Sequence, residues 1–232
     1  MSIANNLQII EERILAACES CGRKRDEVKL IGVSKLQSAA SIAQAHAAGL
    51  NDVGENYIQE YAGKREELSE LALNWHIIGQ IQSNKVRRLL SLGPCIIHSI
   101  DRLSLVRRIQ TILEENTGLL EPLRIFIELR IGDEGSQKSG VKESDVEEIL
   151  DFVDSHACFK VEGLMLIPPY YDEPEKARPY FRRLRQIQER LNQGRKTPLR
   201  HLSMGMSGDF EVAIQEGATH IRVGTAIFGT RA

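Results

Sequence analysis

The chain predicts an α/β fold, and within that class a (β/α)8 TIM barrel. Three observations point there. Strand-like and helix-like stretches alternate along the whole sequence, the pattern of parallel βαβ units. Several strands are apolar on both faces, as in Arg124-Ile125-Phe126-Ile127-Glu128-Leu129, whereas half-exposed antiparallel strands alternate more cleanly. No Gly-x-Gly-x-x-Gly follows the first strand, which weighs against the alternative of a doubly wound open sheet.

Element by element, Ile3, Leu7, Ile10, Ile14 and Ala17 recur at helical spacing, so an extra amphipathic helix opens the chain, with Gly22 as its stop. Strands are expected at 28–35, 52–56, 74–80, 95–100, 122–131, 161–167, 201–206 and 220–228. Helices are expected at 39–48, 58–68, 84–90, 103–115, 143–154, 175–191 and 210–215. Eight such strands suit a barrel. After the eighth only Gly229-Thr230-Arg231-Ala232 remain, too few for a closing helix, so the opening helix is expected to take that place in the outer ring. Residues 132–140 are rich in glycine and charge and read as a mobile loop. The Pro168-Pro169-Tyr170-Tyr171 run with Pro174 reads as a loop inside one domain spanning 1–232.

Composition narrows the function classes. The 232 residues are 42% hydrophobic and 27% charged, with a net charge of -2. Nucleic-acid binders are usually basic overall or carry a basic stripe, and nothing here favours one. No apolar run approaches the ~20 residues of a membrane span, and the amino terminus lacks a signal-peptide pattern. A soluble cytoplasmic protein is expected. Cys18 and Cys21 form a Cys-x-x-Cys without a second pair at similar spacing, so a zinc site is not indicated. Reduced free thiols are expected for these and for Cys95 and Cys158.

The chemistry gathers at strand ends. Lys35 closes the first strand, at the carboxyl mouth where barrels build their sites. Apolar neighbours along its stem should lower its pKa, which suits a Schiff-base former. Strand eight ends Arg222-Val223-Gly224-Thr225-Ala226-Ile227-Phe228-Gly229. Gly224 lets backbone approach a ligand, and Thr225 can donate a hydroxyl while heading a short turn. Ser203 and the backbone around Gly205, at the end of strand seven, could complete a phosphate cradle. Asp209 and Glu211 in the next helix read as helix-end electrostatics. Arg222 lies between Ile221 and Val223 and needs a partner if buried. That partner is either a core carboxylate such as Glu128 or the ring nitrogen of a bound heterocycle. An arginine only donates hydrogen bonds, so it would keep such a nitrogen unprotonated and weaken it as an electron sink. His76 and His98 could face a ligand, but no metal-ligand spacing links them. Met204 and Met206 read as core filler.

These residues together resemble a known family. Val33-Ser34-Lys35, Gly54-Glu55-Asn56-Tyr57, Trp75-His76-x-Ile78-Gly79, Gln82-Ser83-Asn84-Lys85, Gly163-Leu164-Met165, Leu202-Ser203-Met204-Gly205-Met206-Ser207 and Arg222-Val223-Gly224-Thr225-x-Ile227-Phe228-Gly229 resemble the pyridoxal phosphate homeostasis protein family. The resemblance spans nearly the whole chain. It implies a single barrel like the N-terminal domain of alanine racemases, with pyridoxal 5′-phosphate (PLP) held as a Schiff base on Lys35. It also implies Arg222 at the pyridine nitrogen, phosphate on Ser203, Gly224 and Thr225, and Asn56, His76 and Met206 near the cofactor.

By the same resemblance, the function is cofactor buffering or delivery to PLP-dependent apoenzymes, with effects on amino-acid and keto-acid balance and no robust catalysis. The alternatives are a PLP-dependent amino-acid racemase and a barrel enzyme that acts on a phosphorylated metabolite through Lys35. A two-base racemase needs a proton donor on each ligand face. In barrel racemases the second comes from an additional domain of a partner subunit, and the sequence stops at Ala232 without one. Arg222 does not decide the matter, because alanine racemases share that arginine. No metal is expected, and a monomer is, since no site residue need come from a neighbour.

Overall fold

The computed structural model describes residues 2–115, 121–132 and 139–229. Eight parallel strands close into one barrel in sequence order. They are β1 (Lys29–Val33), β2 (Asp52–Glu55), β3 (Asn74–Ile77), β4 (Ile96–Ile100), β5 (Leu123–Leu129), β6 (Phe159–Leu166), β7 (His201–Ser203) and β8 (His220–Val223). The circle shuts where β1 pairs with β8, Ile31 opposite Arg222 and Gly32 opposite Val223. Between the strands run α2 (Ala39–Ala47), α3 (Ile58–Glu67), α4 (Val86–Ser91), α5 (Leu103–Glu115), α6 (Val146–Asp154), α7 (Arg178–Leu191) and α8 (Phe210–Gln215). Each lays an apolar stripe on the barrel wall; α5, for example, buries Leu105, Val106, Ile109, Ile112 and Leu113.

The opening helix α1 (Ile3–Ser20) buries Leu7, Ile10, Ile14, Ala17 and Cys18. Ser2 caps its start by accepting from the Asn5 amide at 3.3 Å. It packs on α8 and on α9 (Thr225–Phe228), and so fills the eighth place of the helical ring, as the sequence leads one to expect. Asn6 donates to the Ile227 carbonyl at 2.8 Å, Arg13 donates to Glu211 at 2.7 Å, and Arg23 donates to the carbonyls of Ile214 and Ala218 at 2.9 and 2.7 Å. Glu211 therefore serves α1 rather than a ligand. The four cysteines are free thiols. Among the described residues, no helix is long and apolar enough to cross a membrane.

The strands are shorter at the carboxyl mouth than the apolar runs suggest. β1 stops at Val33, β7 at Ser203 and β8 at Val223. The backbone turns there: Leu36 has φ +61° and Gly205 φ +92°. After β8 the apolar residues continue into α9, which packs on α1. Helices α6 and α7 are each preceded by a 3-10 turn, at Glu143–Asp145 and Pro174–Ala177. The loop expected at 132–140 lies for its greater part, 133–138, outside the described residues, as do 230–232.

The barrel interior combines an apolar cluster of Ile96, Phe126 and Met165 with four histidines. His98 stacks on Phe126 with ring centroids 4.2 Å apart, and His220 meets His201 edge-on at 5.0 Å. β6 and β7 approach closely because residue 163 is glycine: a Cβ there would sit 1.8 Å from the His201 carbonyl oxygen.

Candidate functional site

Lys35 lies two residues past β1, half-buried in a turn. Both of its neighbours are held. The Ser34 amide donates to the Gly54 carbonyl at 2.9 Å, and the Ser34 hydroxyl donates to Glu55 at 2.6 Å. Lys64, on α3, donates to the Ser34 carbonyl, Glu55 and Glu60, each at 2.7 Å. The Leu36 amide donates to the same Glu60 oxygen at 2.7 Å. Leu36 is the one non-glycine among the described residues with positive φ, a conformation that costs about 1–2 kcal/mol for a side chain with a Cβ. Such strain persists where surrounding bonds over-determine it, and here the Glu55–Lys64–Glu60 cluster supplies those bonds. Burial raises the Glu55 carboxyl above its ordinary value, against the opposing bonds from Lys64 and Ser34.

A cavity of about 260 Å³ opens at this mouth. It brings together Val33 at the end of β1 and Lys35 after it, Met206, Ser207 and Asp209 after β7, and Arg222, Gly224 and Thr225 at the end of β8. Pro169, Tyr170 and Tyr171, from the loop after β6, line its other side. Five of the eight residues picked out from the sequence and its resemblance thus meet in one cavity: Lys35, Met206, Arg222, Gly224 and Thr225. Gly224 packs closely on β1: a Cβ there would lie 3.2 Å from the Val33 Cβ and 3.3 Å from the Val33 carbonyl oxygen, tighter than most such contacts. The following turn, α9, ends at Gly229, whose φ is +88°.

Arg222 is fully buried and two neighbours hold it. It donates to the Ser203 hydroxyl at 2.7 Å and to the Leu166 carbonyl at 2.9 Å. Burial draws its guanidinium down to about 10, with Glu128 and Asp209 opposing at longer range; it stays charged at neutral pH. Glu128 is therefore not its hydrogen-bonded partner. That carboxyl instead accepts from Ser139 at 2.7 Å, and burial raises it above its ordinary value.

Three expected residues sit elsewhere. Ser203 is buried below the cavity, and its hydroxyl is engaged by Arg222 and by His98 at 2.9 Å. It braces the arginine and is not among the residues that line the cavity. His76 is deeper still, bonded to His98 and to Asp52, each at 2.9 Å. Burial lowers its imidazole below the ordinary value against the pull of Asp52. Asn56 lines a neighbouring depression with Tyr57, Gly79 and Lys85, and its Oδ1 is buried with no hydrogen-bond partner among the described residues.

Other lining residues were not picked out from the sequence. Ser207 accepts from the Gly224 amide at 3.3 Å, which ties the loop after β7 to the end of β8 and puts a hydroxyl where Ser203 was expected. The signal was the polar residue closing Leu202-Ser203-Met204-Gly205-Met206-Ser207. Asp209 accepts from the Met206 amide at 2.6 Å, so it shapes this loop at the head of α8, and burial raises its carboxyl. Tyr170 stands 84% exposed at the rim, and Tyr171 meets the Tyr180 hydroxyl at 3.0 Å.

An amine, a guanidinium, two hydroxyls and a glycine at close approach fit a phosphorylated aldehyde: a nucleophile for the carbonyl, a donor for a ring acceptor and polar groups for an anion. Among the described residues, no group of His, Cys, Asp and Glu could hold a metal ion.

Comparison with known proteins places the chain. Residues 5–232 match the alanine racemase N-terminal domain family. The pyridoxal phosphate homeostasis protein of Aquifex aeolicus is 42% identical over 231 residues, covering 100% of this chain and 99% of that one. PipY of Synechococcus elongatus PCC7942, solved with PLP bound, superposes with a TM-score of 0.81 at 34% identity, covering 95% of this chain and 100% of that one. Alanine racemase of Corynebacterium glutamicum shares the fold, with a TM-score of 0.72 at 16% identity over 97% of this chain and 62% of that one.

Proposed function

We propose that this chain, which belongs to the pyridoxal phosphate homeostasis protein family, holds PLP through a Schiff base to Lys35. In this reading it is a cytoplasmic, monomeric, single-domain reservoir that buffers or delivers the cofactor to PLP-dependent apoenzymes, without robust catalysis of its own. The observation that carries the site assignment is the single cavity shared by Lys35 and by Arg222, Ser207, Gly224 and Thr225.

When bound, PLP supplies an electrophilic aldehyde that condenses with an amine. Lys35 would supply the amine that holds the group covalently, with the aldehyde oxygen released as water. Every other task falls to the chain. The Glu55–Lys64–Glu60 cluster fixes the turn that carries Lys35. Arg222 can only donate, so it holds a ring acceptor facing it unprotonated. Ser207, Thr225 and the backbone at Gly224 bind the anionic end. The exposed Thr225 and Tyr170 leave the cavity open to water and amines, which suits exchange of the held aldehyde better than stereospecific turnover.

The test uses the purified protein. Addition of PLP gives a visible absorption band, borohydride fixes it, and peptide mapping finds the label on Lys35. Lys35→Ala loses the band. A label on a different lysine removes the assignment. Rapid deuterium exchange at the α-carbon of an amino acid, under the same conditions, replaces the reservoir by a racemase-like enzyme.

A further inference from the structure

A polar line crosses the barrel interior from one mouth to the other. At the amino-terminal mouth, Lys29 and Asp52 open β1 and β2, with Nζ 3.1 Å from Oδ1. Asp52 Oδ1 lies 2.9 Å from His76 Nε2, His76 Nδ1 2.9 Å from His98 Nε2, and His98 Nδ1 2.9 Å from Ser203 Oγ. Ser203 Oγ accepts from Arg222 at 2.7 Å. His76, His98 and Ser203 have no solvent exposure. Barrel interiors are ordinarily filled with bulky apolar side chains, so a buried line of this length asks for a role.

We propose that Asp52, His76, His98 and Ser203 are positioning residues that orient and polarise Arg222 from the far end of the barrel. The inference rests on the PLP reading for the identity of what Arg222 faces, while the line itself is independent of it.

Chemistry fixes the direction of every bond. An ionised carboxylate only accepts and a guanidinium only donates. Lys29 favours the ionised form of Asp52, so His76 carries its proton on Nε2. A neutral His76 then accepts on Nδ1, and His98 must donate from Nε2. His98 accepts in turn on Nδ1, so the Ser203 hydroxyl points its hydrogen there and offers its lone pairs to Arg222. Reversing any one bond would leave two donors or two acceptors facing each other. An extra proton on either imidazole would put a cation in a fully buried slot near Arg222; burial holds both rings below their ordinary values. All four donors therefore point from the cofactor pocket towards Asp52, and such aligned chains polarise one another. Ser203 can serve Arg222 only while His98 takes up its hydrogen, and His98 can do so only in the tautomer that Asp52 selects through His76.

Two measurements test this. In the protein without PLP, 15N NMR of the histidine side chains should show His76 and His98 neutral, both protonated on Nε2; a proton on Nδ1 of either ring overturns the inference whatever the cofactor does. With PLP, Ser203→Ala and Asp52→Asn should shift the absorption maximum of the bound band and weaken retention about ten- to a hundredfold, the scale of one lost hydrogen bond to a charged group. Asp52 is the discriminating position, because a merely structural role at the opposite mouth would lower the melting temperature and leave the band unmoved. His98→Leu should behave like Ser203→Ala. His98→Gln should recover most of the wild-type spectrum, since its amide can accept from Ser203 and donate to His76. Wild-type spectra and retention in both Ser203→Ala and Asp52→Asn, with the Lys35 label forming, overturn the inference. Failure of the wild type to form any label overturns the PLP reading instead, and the NMR result still decides the line.

Discussion

Lys64 is the sharpest place to test how the turn carrying Lys35 is held. The ammonium donates to the Ser34 carbonyl, Glu55 and Glu60, and Glu55 has no solvent exposure. Lys64→Met keeps the aliphatic stem and deletes three bonds. It leaves the Glu55 carboxylate buried without its counter-charge, with one oxygen already lacking a partner among the described residues. Removing one member of a buried ion pair costs about 3–5 kcal/mol. For a chain of this size, about 1 kcal/mol moves the melting temperature by about 2–4 °C, so a drop of roughly 6–20 °C is expected. The deficit should be larger at high pH than at low pH. Glu55 has a raised pKa in the fold, so its protonation relieves the buried charge below that value and the relief disappears as pH rises through it. The assay is urea denaturation of the PLP-free protein at two pH values, with the Lys35 label yield measured on the loaded protein. The label yield should fall too, because Leu36 can then leave its strained conformation and carry Lys35 away from the cavity. Lys64→Met/Glu55→Gln, which removes the orphaned charge and keeps an acceptor for Ser34, should be more stable than Lys64→Met alone. A loss under about 1 kcal/mol in the single variant, or no recovery in the double, refutes the reasoning.

Two other outcomes follow from burial and packing. Stability should decline as pH falls below about 6.5 and more steeply below about 4.5. His76, His98 and His220 have pKa values lowered from 6.5, chiefly by burial, so the unfolded chain takes up protons there that the fold refuses. Below that, burial raises Glu216 but the bonds from Arg182 and Arg178 outweigh it and hold its carboxyl under 4.5, so its contribution is lost as pH drops through the folded value; His98→Gln should flatten the upper limb by up to about 1.4 kcal/mol per pH unit, read from denaturation curves. Gly163→Ala should cost about 3 kcal/mol or more, because its Cβ would lie 1.8 Å from the His201 carbonyl oxygen and β6 and β7 would have to part; a denaturation midpoint near that of the wild type would show that the two strands are free to separate.

Much of the molecule is legible in the linear chain because the signals are local. Apolar runs of strand length, helical periodicity between them and the polar residue types clustered at their carboxyl ends determine the alternation, the barrel and the meeting of Lys35 with Arg222, Gly224 and Thr225. The opening helix could be expected in the outer ring because its apolar stripe needs a wall, and α1 packs there on α8 and α9. Where side chains point and where strands end depends instead on the assembled barrel. A parallel strand buried on both faces shows no alternation, so nothing in His201-Leu202-Ser203 tells that Ser203 braces Arg222 while Ser207, past the turn, reaches the cavity. The line from Asp52 to Arg222 draws on five strands and a ring closure, and its hydrogen bonds exist only once the barrel has closed. The clamp on Lys35 likewise needs α3 to bring Lys64 back over β1 and β2, a contact that residue spacing along the chain does not encode.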